Sequence, residues 1–158
     1  MKLVVVAVGH RMPAWVDAAF EEYARRMPRE AQVKLIEVKP EPRSDSDARA
    51  ATRVTEAEGR RIGTAVPKDA VKIVLDERGH TCTTRELSEK MDAWLMSGRD
   101  VAFIIGGADG LSSSIKDGAD FTWSLTPLTL PHALARVVLS EQLYRAHTIL
   151  KNHPYHRE

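Results

Sequence analysis

The chain has 158 residues, 43% of them hydrophobic, which suits one domain with a continuous buried core and leaves little room for a second. Lys and Arg number 23 against 22 Asp and Glu, a net charge of +1, so bulk charge excludes a generally basic nucleic-acid or membrane binder and leaves RNA only a local patch. A single cysteine, Cys82, excludes an internal disulfide framework and fits a reducing cytoplasm.

The opening MKLVVVAVG carries an apolar run of only about seven residues with no small-residue cleavage pattern after it. It is therefore read as a first buried strand, about Leu3 to Val8, and not as a signal peptide. No apolar stretch approaches the roughly 20 residues needed to span a bilayer. Pro13 suits the first turn of a helix whose stripe is Trp15, Val16, Ala19, Phe20 and Tyr23. Val33, Leu35, Ile36 and Val38 predict a second strand. The polar, proline-containing stretch Pro40 to Asp47 predicts a surface loop, the most mobile element, before a charged helix from about Ala48 to Ile62. Ala70 to Asp76 predicts a third strand, and Thr83-Thr84-Arg85-Glu86 has the capping-box pattern of a helix that carries Leu87, Met91 and Leu95 inward.

The fourth strand, Val101 to Ile105, is apolar throughout, so both of its faces should be covered. It empties into Gly106-Gly107-Ala108-Asp109-Gly110 and a helix capped by Ser112. Glycines here permit positive φ and let a ligand lie against bare backbone. The GGxxG spacing is neither that of a dinucleotide fold nor that of a phosphate loop, so the turn alone names no ligand, and a ligand-free strand-to-helix turn is the alternative. Phe121, Trp123 and Leu125 alternate as a short fifth strand, and Pro127 to Pro131 interrupts regular structure before a helix from about His132 to Leu150. Such alternation predicts an α/β fold with a mostly parallel sheet, helices on both faces, and ligands at the carboxyl ends of its strands. Three ends stand out: Leu75 to Gly79, Gly106 to Gly110, and Thr126 to Pro131. In the last, backbone groups without strand partners suit an adenine edge, with a stiff ligand-free crossover as the alternative.

The segment Leu128-Thr129-Leu130-Pro131-His132, the helical Glu141-Gln142-Leu143-Tyr144-Arg145-Ala146 and the terminal Asn152-His153-Pro154-Tyr155-His156-Arg157-Glu158 together resemble the RlmH family. These are SPOUT-class enzymes that methylate N3 of a pseudouridine in 23S ribosomal RNA. The likeness extends to the MKL-VAVG start, Tyr23 to Arg26, Leu75-Asp76 and Ile105-Gly106-Gly107, and is weakest over residues about 40 to 70. It implies one domain over residues 1–158 whose C-terminal part is threaded into a trefoil knot, which periodicity does not reveal. It implies S-adenosylmethionine as cofactor, with Leu75, Gly107, Thr126, Pro127, Leu128, Thr129, Leu130 and Pro131 lining the adenosyl pocket. It also implies a cytoplasmic homodimer acting on the assembled ribosome, with catalytic clefts beside the interface.

Methyl transfer from a sulfonium requires alignment and exclusion of water, and no metal. N3 of pseudouridine is a protonated imide nitrogen, so its proton must be removed. Tyr155 and His156 are candidates for that step, or for orienting the substrate, with Arg145 and Arg157 holding phosphate or uracil carbonyls and Glu141 orienting Arg145 as an i,i+4 pair. An ordinary solvent-exposed ion pair is the plainer account of that last contact. Arg25, Arg26 and Arg29 are candidates for RNA phosphate or for the helix dipole. Trp15, Phe20, Tyr23, Trp94 and Trp123 fit core or dimer contacts better than base-stacking platforms. His80 and Cys82 lack the paired spacing of a zinc site, so no metal is expected. The rival function is a non-catalytic RNA- or nucleotide-binding α/β module; a flavodoxin-like or NAD-binding protein is disfavoured by the glycine spacing.

Overall fold

The computed structural model describes residues 1–43 and 47–157. Five strands, β1 (Lys2–Val8), β2 (Gln32–Val38), β3 (Val71–Thr81), β4 (Val101–Ile105) and β5 (Phe121–Ser124), alternate with α1 (Ala14–Ala24), α2 (Ala48–Ala65), α3 (Thr84–Ser97), α4 (Ser113–Asp117) and α5 (His132–Leu150). All pairings are parallel and the sheet order is β2-β1-β4-β3-β5. The fourth strand in the chain, β4, thus lies in the middle, between β1 and β3, which explains why all five of its side chains are buried.

Period-two alternation divides the core between the two faces. Leu3, Val5 and Ala7 of β1, with Phe103 and Ile105 of β4, pack with Phe20 of α1, Leu87 and Met91 of α3 and Leu139 and Leu143 of α5. Val4, Val6, Val8, Val74 and Ile104 face the other way, onto Ile62 of α2 and Leu111 and Ile115 at α4. The capping box forms as the sequence predicts: the Thr83 hydroxyl accepts from Glu86 N–H and Glu86 accepts from Thr83 N–H, while Gly98 closes α3 at φ +68°.

Two expectations need correction. β3 does not stop at Asp76; after an irregularity between Leu75 and His80 it resumes pairing, His80 with Trp123 and Thr81 with Ser124. Gly79 permits this, because a Cβ there would sit 2.8 Å from the Thr122 carbonyl. Trp15 is not part of the buried stripe of α1: it is 57% exposed, and only Val16 and Phe20 of that helix are buried. The predicted mobile loop falls partly on residues 44–46, outside the described ones; its flanks are held, with Glu41 paired to Arg61 and Asp47 capping α2 by accepting from Ala50 N–H at 2.6 Å.

The route of the C-terminal segment positions the site. The chain leaves β5 at one edge of the sheet, crosses the carboxyl ends of β3 and β4, and by the second turn of α5 is fixed to the far edge. There Arg136, fully buried, donates to Glu37 of β2 at 2.9 Å and to the Gly9 carbonyl after β1 at 3.1 Å. α5 then packs on α1 and α3.

Candidate active site

The three strand ends singled out from the sequence converge on one cleft of about 470 Å³. Leu75 stands where the pairing of β3 is interrupted, Gly106 to Leu111 form the turn after β4, and Ser124 to Thr126 with Leu128 to Leu130 form the crossing segment. Of the predicted pocket residues, Leu75, Gly107, Thr126, Leu128, Thr129 and Leu130 line this cleft; Pro127 and Pro131 do not, being exposed, with Pro131 preceding the first turn of α5. The prolines therefore shape the segment and leave its walls to their neighbours.

The crossing segment holds its shape through side chains. Ser124 hydroxyl donates to the Thr126 carbonyl at 2.9 Å, the Thr126 hydroxyl accepts from Leu128 N–H at 3.2 Å, and the Thr129 hydroxyl donates to Glu77 at 3.1 Å. Among the described residues, 127–130 make no backbone–backbone hydrogen bond. Trp123, also in the cleft wall, has a buried indole N–H without an acceptor among the described residues. A lining of mixed character, with 127–130 outside any backbone ladder and an indole N–H without an acceptor among the described residues, suits a planar heterocycle whose edge both donates and accepts.

The glycine turn uses only part of the freedom that its three glycines allow. Only Gly110 adopts a positive φ, at +81°. Gly106 and Gly107 are required by close approach: a Cβ on Gly106 would lie 2.9 Å from Gly110 carbonyl carbon and Leu111 Cγ. On Gly107 it would lie 3.0 Å from Val8 and 3.1 Å from both oxygens of Glu58. Glu58, a buried residue of α2 that sequence reading missed, therefore stands directly behind the turn. Nothing in the local pattern of a charged helix marks it, since the fold alone turns that face inward. Further charges stand at the cleft. Asp76 accepts from Arg78 N–H at 2.9 Å and pairs with Lys116 at 3.3 Å, and these contacts hold its carboxyl below the usual range, while Asp109 pairs with Arg43.

Of the predicted catalytic residues, Glu141 and Arg145 of α5 and Tyr155 beyond it form a second cluster, while Arg157 is exposed. Glu141 accepts from Arg145 Nε at 2.8 Å and from the Tyr155 hydroxyl at 3.0 Å. The Tyr155 ring lies 4.7 Å from that of Tyr144, and the Arg145 guanidinium sits over it at 4.9 Å. Arg26 adds a second cation, 5.7 Å from the rings of both Tyr23 and Tyr144. Burial and the bond to Glu141 push the Tyr155 phenol well above its ordinary pKa, so this hydroxyl acts as a donor and a poor base at neutral pH. His156 differs, with a buried Nδ1 that has no partner among the described residues. Glu141 lies nine residues beyond His132 at the cleft, about 14 Å along the helix axis. None of residues 152–157 lines the cleft of its own chain.

A family model described as "Predicted SPOUT methyltransferase" matches residues 1–156. The chain is 54% identical over 157 residues to the Ribosomal RNA large subunit methyltransferase H of Burkholderia mallei (strain SAVP1), covering 99% of each chain. The protein of the same name from Burkholderia pseudomallei (strain K96243) matches to the same extent. A probable methylase family protein from Haemophilus influenzae Rd KW20 shares the fold, with TM-score 0.52 and 18% identity over 99% of this chain and 70% of that one. A parallel α/β sheet with a cleft at the crossing segment, matched along nearly its whole length by that family model, defines a methyltransferase of the α/β-knot class. The chain belongs to the SPOUT methyltransferase family, and its methyl donor is S-adenosylmethionine.

That membership makes the glycine turn testable. Gly107→Val is expected to weaken S-adenosylmethionine binding more than tenfold, because the new side chain displaces Val8 and Glu58 and moves the turn. The same overpacking should cost about 1–3 kcal/mol of stability. Calorimetry on the folded variant checks this, and near-normal affinity removes Gly107 from the site.

Proposed function

We propose that the protein is an S-adenosylmethionine-dependent enzyme that methylates N3 of a pseudouridine in 23S ribosomal RNA, acting in the cytoplasm as a homodimer on the assembled ribosome. The observation that carries this reading is the cleft itself, where β3, the turn after β4 and the crossing segment after β5 present glycine backbone and a mixed apolar and charged lining. The name shared by the 54% identical relatives supports ribosomal RNA as substrate. The motifs that make the chain resemble the RlmH family support the pseudouridine and its N3.

The cofactor supplies an electrophilic methyl group. Leu75, Gly107 and residues 126 and 128–130 hold its adenosyl part, in this reading, and the ordered crossing segment fixes the direction from which the nucleobase approaches. His156 takes the N3 proton in this reading, because its imidazole Nδ1 has no partner among the described residues whereas Tyr155 is bonded to Glu141, and the ring has to turn out of its buried position to do so. Tyr155, Glu141 and Arg145 set the path of the tail, and Arg145 and Arg157 attract the phosphates flanking the target. Because the tail lies off its own cleft, the catalytic centre in this proposal is completed across the dimer by the partner's tail.

With a net charge of +1, non-specific attraction for free RNA is weak, and docking has to use a larger preformed surface. Single-turnover methylation is expected to be at least tenfold faster on assembled ribosomes than on naked 23S RNA at equal salt and saturating cofactor, and slower where uridine replaces pseudouridine. Equal rates on both RNA forms remove the docking part. Absence of labelled methyl in RNA from ribosomes lacking the modification removes the enzyme reading in favour of a binding module.

A further inference from the structure

The cofactor turn is backed by a carboxylate without a counter-ion. Glu58 is 3% exposed, and its one hydrogen bond is a long one, 3.4 Å, from the Glu41 amide. Among the described residues no cation forms an ion pair with it: the nearby Arg61 is paired to Glu41, and Arg43 to Asp109. The carboxylates within the cleft are engaged, Asp76 with Lys116 and Asp109 with Arg43, while Glu77 accepts from Thr129. Glu58 is instead pressed against Gly107, both oxygens within 3.1 Å of where a Cβ would stand. The next residue, Gly59, allows Ser112 to pack against α2, since its Cβ would lie 2.6 Å from Ser112 Oγ. The helix is thereby locked to both ends of the turn. Burial pushes the Glu58 carboxyl above its usual pKa, with Asp109 and Glu41 adding to the rise and the Glu41 amide and Arg61 opposing it.

Only one ligand of this cleft changes charge during the reaction. Transfer of the methyl group to N3 leaves the electron pair of the broken S–C bond on sulfur, so a sulfonium cation becomes a neutral thioether while N3 releases its proton to the base. We propose that the Glu58 carboxylate, one glycine backbone away from the cleft, favours the cationic donor S-adenosylmethionine over the neutral product S-adenosylhomocysteine, acting as a positioning and charge-selecting residue behind the turn. The inference rests on the reading of the cleft as the cofactor site. A carboxylate packed against Gly107, on a helix held to Ser112 through Gly59, exerts this preference without moving, and loses it when neutralised.

The test is calorimetric and needs no turnover. Glu58→Gln keeps the shape and the acceptor for the Glu41 amide; it is expected to weaken S-adenosylmethionine about three- to tenfold and S-adenosylhomocysteine less than twofold. Equal weakening of both ligands overturns the proposal, leaving Glu58 as packing only, and so does no change in either. If the Gln variant does not melt cooperatively, Glu58→Asp and Glu58→Asn provide the same comparison, since they differ from each other in charge alone. The Asp form should prefer the donor over the product by several-fold more than the Asn form, and equal preferences again overturn the idea. A wild-type protein that binds neither ligand overturns the reading of the cleft, a result separable from every outcome with the variants.

Discussion

Arg136→Met is expected to lower the stability of the folded protein by about 3 kcal/mol, the lower end of the cost of breaking a buried pair. The guanidinium is fully buried and joins Glu37 and the Gly9 carbonyl, while its Nε has no partner among the described residues. Methionine fills much of the volume, so the loss comes from the two bonds and from the acceptors left behind. Glu37 is 37% exposed at its side chain and regains some water, which holds the cost to that lower end. Glu37→Gln leaves a cation buried without its carboxylate and should cost a similar amount. In a chain of this length, 3 kcal/mol corresponds to a drop in Tm of about 6–12 °C. Because Arg136 fixes the first turns of α5, which continue the crossing segment, cofactor affinity should fall as well. Urea unfolding with calorimetry on both single variants and the double variant checks the coupling. Losses below about 1 kcal/mol would falsify the role of Arg136 as the anchor of that segment.

Deleting residues 153–157 is expected to abolish RNA methylation while changing S-adenosylmethionine affinity less than twofold. The separation follows from geometry: the tail packs on Glu141 and Tyr144, and the cleft at the start of α5 is lined without it. The cost in stability is not nil, because Tyr155 is half-buried against Tyr144 and bonded to Glu141, and about 1–2 kcal/mol should be lost. His156→Ala separates the chemistry from this packing: the methylation rate should fall at least a hundredfold with the melting temperature nearly unchanged. Normal methylation by the truncated protein overturns the placement of the tail in the reaction, and normal kcat for His156→Ala overturns the base.

The sheet was legible because its strands are short and apolar. Val101 to Ile105 announced a doubly covered strand, and it is the central one. The capping box at Thr83 and the Ser112 cap each mark a helix start in the residues themselves, and both form. What the local pattern lacked was long-range information. The resumption of β3 after Leu75 depends on β5 being its neighbour, about 50 residues away in the chain, which no local period records. Trp15 has an apolar side chain at a helical spacing that suits the core, yet α1 turns it outward. The residues that line the cleft were reached by the strand-end rule and the resemblance together, whereas Glu58 behind the turn was not reached at all. A glutamate in a charged helix has no distinguishing neighbour in sequence; only the glycine it presses against, 49 residues on, gives it meaning.

The bond between Arg136 and Glu37 closes a span of 99 residues, and that to Gly9 one of 127. A chain emerging from the ribosome from its N-terminus has made β1 and β2 long before either contact becomes available. Through most of synthesis those strands present buried-type surface, the Gly9 carbonyl and Glu37 with nothing to receive them, and the last helix must be translated and released before the sheet is sealed. Contacts of such large sequence separation slow refolding and lengthen exposure to aggregation, so the nascent protein relies on early α1 and α2 packing to shield its first strands. A molecule cut short before α5 would keep its glycine turn and lose the fastener that holds the crossing segment in place.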